Sequence, residues 1–267
     1  MGALPPDRSV AVMQCQVVGE ALSRSPLLHD VRVIDSAYMP VVKMVTTGVF
    51  KLDVDLTVAL PSHDGLAVAE FCKTLRARFP QLMPIVRLLK AFLCKRGLSD
   101  PYRGGLSSYA LVLMTVTSII KSYEKAGGRT VLNNGELLVD FLDLFGREFD
   151  PVHDGIACNL AADLSKLGMG RIPNSGPPLL RIAKREVSCV YLDATPGYTE
   201  HVLVVDDPVR PGNNVGRVSF CFPVVQTAFA EALASLLSYV VRNEALGRRR
   251  DNHTVLENIF GVVVPGS

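Results

Sequence analysis

The chain has 267 residues, 48% of them hydrophobic and 20% charged, enough apolar material for one large domain or two small ones with a real core. A net charge of +2 excludes the broad basic excess of a protein that neutralises phosphates over its whole surface, so any nucleic-acid contact must come from local clusters. The cysteines (Cys15, Cys72, Cys94, Cys158, Cys189 and Cys221) are dispersed, which gives no zinc-ligand spacing and suits buried free thiols of a reducing compartment.

Met1–Arg8 is short, contains proline and lacks an apolar run, so no signal peptide is read there. From there to about Leu60 the chain alternates as strands do. Val31–Asp35 and Pro40–Val45 are β-rich and separated by Ser36–Met39. Phe50, Leu52, Val54, Leu56, Val58 and Leu60 then alternate with Lys51, Asp53, Asp55, Thr57 and Ala59. That strict period of two predicts one face on a core and the charged residues on the other. After Pro61 the period becomes helical, predicting helices over Gly65–Phe79, Leu82–Leu93, Leu106–Tyr123, Glu136–Phe145 and Val224–Val241. The most apolar window, Leu106–Ile120, falls short of the roughly 20 residues of a membrane span. It also carries serines and threonines, so it is expected to be a core helix. Ile156–Arg185, with Pro173, Gly176, Pro177 and Pro178, reads as a loop or insertion, and His201–Val205 as a short strand before an irregular loop.

Three places could carry chemistry. Asp53 and Asp55 share one strand face, about 7 Å apart at the usual rise. Paired carboxylates on a rigid strand suit Mg²⁺, although a solvated strand face has the same pattern. Arg103–Tyr109 places glycines and hydroxyls at a helix start, where free N–H groups suit a phosphate; capping by Ser107 or Ser108 is the plainer account. Asp207–Arg217 combines two prolines, two glycines and two asparagines. Such a loop could read a base edge by its donors and acceptors, or be a surface turn. The histidines His29, His63, His153, His201 and His253 show no catalytic pairing.

Taken in order, these segments resemble the TRAMP-type poly(A) RNA polymerases, which are polymerase-β-like nucleotidyltransferases with a PAP-associated domain. The resemblance runs from about Val31 to Ile259. Tyr38-Met-Pro-Val-Val-Lys-Met and Leu52-Asp-Val-Asp-Leu are similar to the palm strands that end in the family's third catalytic aspartate. Val86-Arg-Leu-Leu-Lys-Ala-Phe-Leu and Gly104-Gly-Leu-Ser-Ser-Tyr resemble the triphosphate-contacting region. Gly135-Glu-Leu-Leu-Val-Asp-Phe-Leu-Asp-Leu-Phe-Gly resembles the PAP-associated signature, Asp207–Arg217 the nucleotide-recognition motif, and Thr254-Val-Leu-Glu-Asn-Ile the closing segment.

The resemblance implies an α+β fold: a partial nucleotidyltransferase palm over residues 1–60, then a mostly helical central domain over residues 61–267. It implies template-independent adenylate addition to RNA 3′ ends, in RNA surveillance or processing, with ATP as substrate and Mg²⁺, or Mn²⁺ in its place, as metal. Asp55 would be the metal-side catalytic carboxylate. Lys90, Gly105 and Ser108 would hold the triphosphate, Tyr109 would stack on the base, and Asp207, Asn213, Asn214 and Arg217 would form the recognition loop. Uridylyl-adding relatives carry His at the position of Asn213, so adenylate is the expected base. A zinc-knuckle RNA-binding protein and an RNA helicase are the implied partners, with no membrane partner. The nucleus or nucleolus is the implied site, before the cytoplasm. Three departures stand out. No Gly-Ser and Asp-x-Asp pair precedes Val31, Asp64 replaces an asparagine facing the sugar, and Asn214 stands where many relatives have Asp. The chain is therefore expected to be N-terminally incomplete, or a degenerate, non-catalytic nucleotide- or RNA-binding scaffold, and nearly inert alone.

Overall fold

The computed structural model describes residues 7–36, 39–59, 64–127, 132–159, 179–184, 203–245 and 259–260. Tyr38, Leu60, His201, Cys189, the middle of Ile156–Arg185 and most of the Thr254 segment lie outside them. The chain divides into two compact units, Met1–Glu70 and Phe71–Ser267.

In the first unit, a helix, α1 (Arg8–Ser23), precedes three antiparallel strands in the order β1 (Leu28–Ile34), β2 (Val41–Thr46) and β3 (Asp53–Thr57). The expectation of strand alternation from the start is corrected here. The inward face of α1 is Ala11, Cys15 and Gly19, a stripe at helical spacing whose small side chains give almost no hydrophobic signal. The smallness has a reason: a Cβ on Gly19 would sit 2.6 Å from Val33 Cγ2, so only glycine lets the helix lie this close to the sheet. Cys15, Val42 and Met44 form the buried centre, with Val31, Val33, Val54, Leu56 and Val58 around it. The alternation of β3 thus holds from Val54 to Val58. It fails earlier: Phe50 and Leu52 are exposed, at 80% and 59%, because β3 begins only at Asp53 and the preceding residues belong to its turn from β2.

The second unit contains most of α2 (Gly65–Arg78), then α3 (Leu82–Lys95), α4 (Ser108–Lys125), α5 (Asn134–Asp143) and α6 (Phe222–Ala245). Leucines and phenylalanines from these helices make one core. At its centre Phe141 stands edge-on to Phe229, with ring centroids 5.2 Å apart, a favoured quadrupole geometry. Helix α4 is the expected core helix: Thr115 and Thr117 are buried, and their hydroxyls donate to the Leu111 and Leu113 carbonyls, which satisfies them inside the helix. An Asn133–Glu136 capping box opens α5. A π-helical turn, Leu144–Glu148, follows it, where Gly146 admits the Ala230 backbone, 2.7 Å from where a Cβ would stand.

Two sequence expectations change in this unit. Ile156–Arg185 is not wholly irregular: β4 (Asp154–Cys158) and β5 (Leu180–Lys184) pair antiparallel, tied by Lys184 Nζ to Asp154 Oδ1 at 2.7 Å. The proline-rich middle hid a pairing made by its ends. Leu203–Val205 forms no strand but a single parallel bridge, Val205 to Ile156, which seats the following loop on β4. By length and composition α6, not α4, is the described helix that could cross a membrane; its Phe222, Val225, Phe229 and Leu233 lie in the core.

Candidate nucleotide-recognition site

The start of α4 is built on an elbow. Asp100 caps the 3-10 turn Pro101–Arg103, and Gly104 then takes φ 78°, a left-handed conformation that glycine adopts without strain. A Cβ on Gly104 would fall 2.4 Å from the Phe220 ring, and one on Gly105 2.5 Å from the Leu98 carbonyl oxygen. The elbow is also bonded to the chain beyond the Asp207–Arg217 loop. Cys221 N donates to Gly104 O at 2.9 Å, and Ser219 Oγ to Gly105 O at 3.2 Å. Ser107 is the N-cap, accepting from Ala110 N at 3.1 Å. Ser107 therefore supplies the expected cap, and Ser108 is left exposed in the first turn of α4.

The loop from Leu203 to Arg217 is held from within by Asn214. Its Oδ1 accepts from Val205 N at 2.9 Å and Gly216 N at 2.8 Å, while its Nδ2 donates to Leu203 O at 3.2 Å. Only 7% exposed, Asn214 is a staple of the loop. Asn213 is placed differently. Its Nδ2 donates to Asp207 Oδ2 at 2.8 Å, and the other carboxylate oxygen, Oδ1, accepts from Tyr109 Oη at 3.0 Å and Val209 N at 2.9 Å. Asp207 is buried, 5% exposed, with each oxygen satisfied, as a buried carboxylate requires. Burial first, and then the charge and hydrogen bond of Asp207, hold the Tyr109 hydroxyl far above the usual tyrosine range. Next to this network, burial and the carboxylates of Asp206 and Asp207 push the Cys158 thiol up to about 11.

Thus Gly105, Ser108, Tyr109, Asp207 and Asn213 lie on one connected structure. Lys90 is an exposed residue of α3 with no ion pair or hydrogen bond among the described residues, and Arg217 is exposed at the end of the loop. Sequence reasoning missed Ser219 and Phe220, which join the loop to the elbow; nothing in their spacing announces the contact. In the first unit, Asp55 lies opposite Lys43 in the β2–β3 register, and Lys43 Nζ stands 3.1 Å from its Oδ2. Asp55 and Asp53 do share an exposed face. Among the described residues, however, no three carboxylate, histidine or cysteine side chains group as a metal site. The described residues do not by themselves compose a centre for divalent metal.

The architecture is matched, over 98% of this chain and 74% of the other, by the polymerase core of TRAMP, an RNA surveillance complex, with a TM-score of 0.70 at 18% identity. A Cid1 poly(U) polymerase bound to MgATP matches with a TM-score of 0.58 at 17% identity, over 92% of this chain and 79% of the other. The fold is that of the polymerase-β-like nucleotidyltransferases. No protein-family model matches the sequence. In sequence the chain is 30% identical over 90% of its length to poly(A) RNA polymerase gld-4 of Caenorhabditis elegans, of which it covers 26%. It is 32% identical over 79% of its length to the inactive Trf4-2 poly(A) RNA polymerase protein of Drosophila melanogaster, covering 47% of it. To poly(A) RNA polymerase cid14 of Schizosaccharomyces pombe it is 29% identical over 92% of its length, covering 34%. The chain is thus similar in sequence to poly(A) RNA polymerases of the Trf4, Cid14 and GLD-4 type, and it spans less than half the length of these relatives.

Proposed function

We propose that the chain is the nucleotide-binding body of an RNA 3′-terminal adenylyltransferase acting in RNA surveillance or processing. The observation that carries this is the convergence of Tyr109 and Asn213 on opposite oxygens of Asp207: an aromatic face and a directed amide set side by side are what holding a base requires. In the reaction, the RNA 3′ oxygen attacks the α-phosphorus of ATP, losing its proton, as the bond to the bridging oxygen of the β-phosphate breaks and pyrophosphate leaves. Lys90 and Ser108 would hold the triphosphate, at the positive end of α4. Tyr109 would stack on adenine and Asn213 would meet its edge. Mg²⁺ would neutralise the phosphates in such an enzyme; Asp55 is the carboxylate that the family pattern assigns to it. The similarity to poly(A) RNA polymerases supports an RNA 3′ end as partner; a zinc-knuckle RNA-binding protein and an RNA helicase are proposed beside it. The nucleus, ahead of the cytoplasm, is the proposed site of action.

A non-catalytic scaffold is the second reading, favoured by the Lys43 contact on Asp55 and by homology to a protein described as inactive. Calorimetric titration with ATP tests the shared part: binding is expected, and Tyr109→Ala should weaken it about tenfold or more. Extension of an oligo(A) primer with ATP and Mg²⁺ tests the second reading. With Asp55 as its single assigned metal carboxylate, the chain alone should bind ATP without tailing, and robust tailing would sink the scaffold reading.

A further inference from the structure

We propose that the cleft between the second half of α4 and the turn after α5 binds a primary ammonium group carried on an aliphatic stem, as in an alkylamine or a polyamine. The cleft is separate from the nucleotide site: Ser118, on its floor, stands nine residues beyond Tyr109 on α4, about 14 Å along the helix axis.

The floor carries a group that the fold leaves unsatisfied. Ser118 is 2% exposed, and its Oγ has no hydrogen-bond partner among the described residues. Its neighbours Thr115 and Thr117 return their hydroxyls to carbonyls four residues back. Ser118 does not, and it lines the cleft instead. Ser122, one turn further along the same face and 5% exposed, also has a hydroxyl without a partner among the described residues. Buried hydroxyls left without a bond are costly, so two on one face mark a place that a ligand completes. The opposite wall includes Leu144 and Glu148, which belong to the π-helical turn. That turn is closed by Phe149 N on Leu144 O at 2.8 Å, and such widened turns are frequent at binding sites.

The charges decide what the cleft accepts. Glu148 is taken by Lys121 Nζ at 2.6 Å, with Lys125 also near it, and Asp143 lies 3.5 Å from Arg147. Asp140, half-buried in the same cleft, has no ion pair or hydrogen bond among the described residues. The uncommitted charge is therefore negative and calls for a cation. One free carboxylate with two lysines at the rim suits a divalent metal poorly, since such an ion wants several charged oxygens, and the described residues form no metal-ligand group there. An ammonium has three N–H donors for three open acceptors, Asp140 and the two serine hydroxyls. The cavity, about 30 Å³, has room for one or two groups the size of water, and Leu144 is its apolar wall, against which a methylene stem can lie.

The probe is n-butylammonium chloride on the full chain, compared with sodium chloride and tetramethylammonium chloride at equal ionic strength. The tetramethyl ion has the same charge and no N–H to donate. In thermal melts followed by circular dichroism, n-butylammonium should raise the melting temperature with a saturable midpoint, and the other two salts should not. Ser118→Ala should raise the melting temperature of the ligand-free chain, because it removes an unbonded buried hydroxyl and alanine is the better helix former. It should also move the n-butylammonium midpoint about tenfold higher, as should Asp140→Asn, while calorimetry with ATP gives the wild-type result for both variants. A rise with all three salts is charge screening and overturns the site, as does a rise with none. A ligand-free Ser118→Ala less stable than wild type shows that the hydroxyl is already bonded, and overturns it too. An unmoved midpoint in either variant, or an ATP result that changes in step, does the same. Should Ser118→Ala fail to fold, the midpoint in Asp140→Asn decides alone.

Discussion

The Tyr109 side chain combines two contributions that separate cleanly. Its hydroxyl donates one hydrogen bond to a buried carboxylate, and its ring is the proposed stacking face. Tyr109→Phe removes the bond and leaves Asp207 one donor short, which should cost about 1–3 kcal/mol of stability in thermal or denaturant melts. It should leave ATP affinity within a fewfold of wild type, whereas Tyr109→Ala loses both. Equal effects of the two substitutions on ATP binding would show that the ring does not stack on the base. The alkaline side of the pH range tests the same neighbourhood. Cys158 is raised from 9.0 to about 11, so the native state favours the protonated thiol. Its contribution to stability is complete below pH 9 and is lost as pH rises through 9 to 11, because the unfolded chain releases its proton first. Tyr109, raised by burial and Asp207, acts with the same sign. Urea melts followed by circular dichroism should show stability falling over that interval, and Cys158→Ser should flatten part of the slope.

At the scale of elements, the elbow before α4 and the loop before α6 are one assembly. Gly104 couples them, having φ 78° and only a ring edge of Phe220 where a Cβ would go. Gly104→Ala should cost about 1–2 kcal/mol for the left-handed backbone alone, with the clash added to it. Phe220→Ala opens the space, so the double substitution should be less destabilising than the sum of the singles, a coupling that a double-mutant cycle measures. Strict additivity would mean that the ring moves aside freely. In the core, Phe229 meets both Phe92 and Phe141 and is fully buried. Phe229→Ala should therefore cost about 3–5 kcal/mol in urea melts.

Over the whole molecule, the two units carry different parts of the proposed chemistry. Asp55 is more than half exposed and paired with Lys43 at the surface of the first unit. Such pairs contribute about 0–1 kcal/mol, so Asp55→Ala should leave the melting temperature near wild type. It should leave ATP binding at the Tyr109–Asn213 site near wild type as well. A protein that carries the complete set of carboxylates should lose tailing with the same substitution. Weaker ATP binding in Asp55→Ala would assign this carboxylate to the nucleotide and not to the metal.

What the sequence determined by itself is what depends on neighbours in the chain. The period of 3.6 placed α3, α5 and α6 close to their observed bounds, and the period of two placed Val54, Leu56 and Val58 inward, because each pattern is the geometry of one element. The ordered motifs were enough to find the fold and its homologues. The alternation misled at Phe50 and Leu52, where a turn imitates a strand, and it was blind at α1, whose inward face is alanine, cysteine and glycine. Only the tertiary structure distinguished two adjacent asparagines of identical chemistry. Asn214 turned inward to hold its own loop, and Asn213 turned to Asp207. Nor could a local pattern show that Tyr109 meets Asp207, 98 residues away. That contact is made by the packing of β4, α4 and α6 around one core, and hydrogen-bond partners brought together by packing leave no period in the chain.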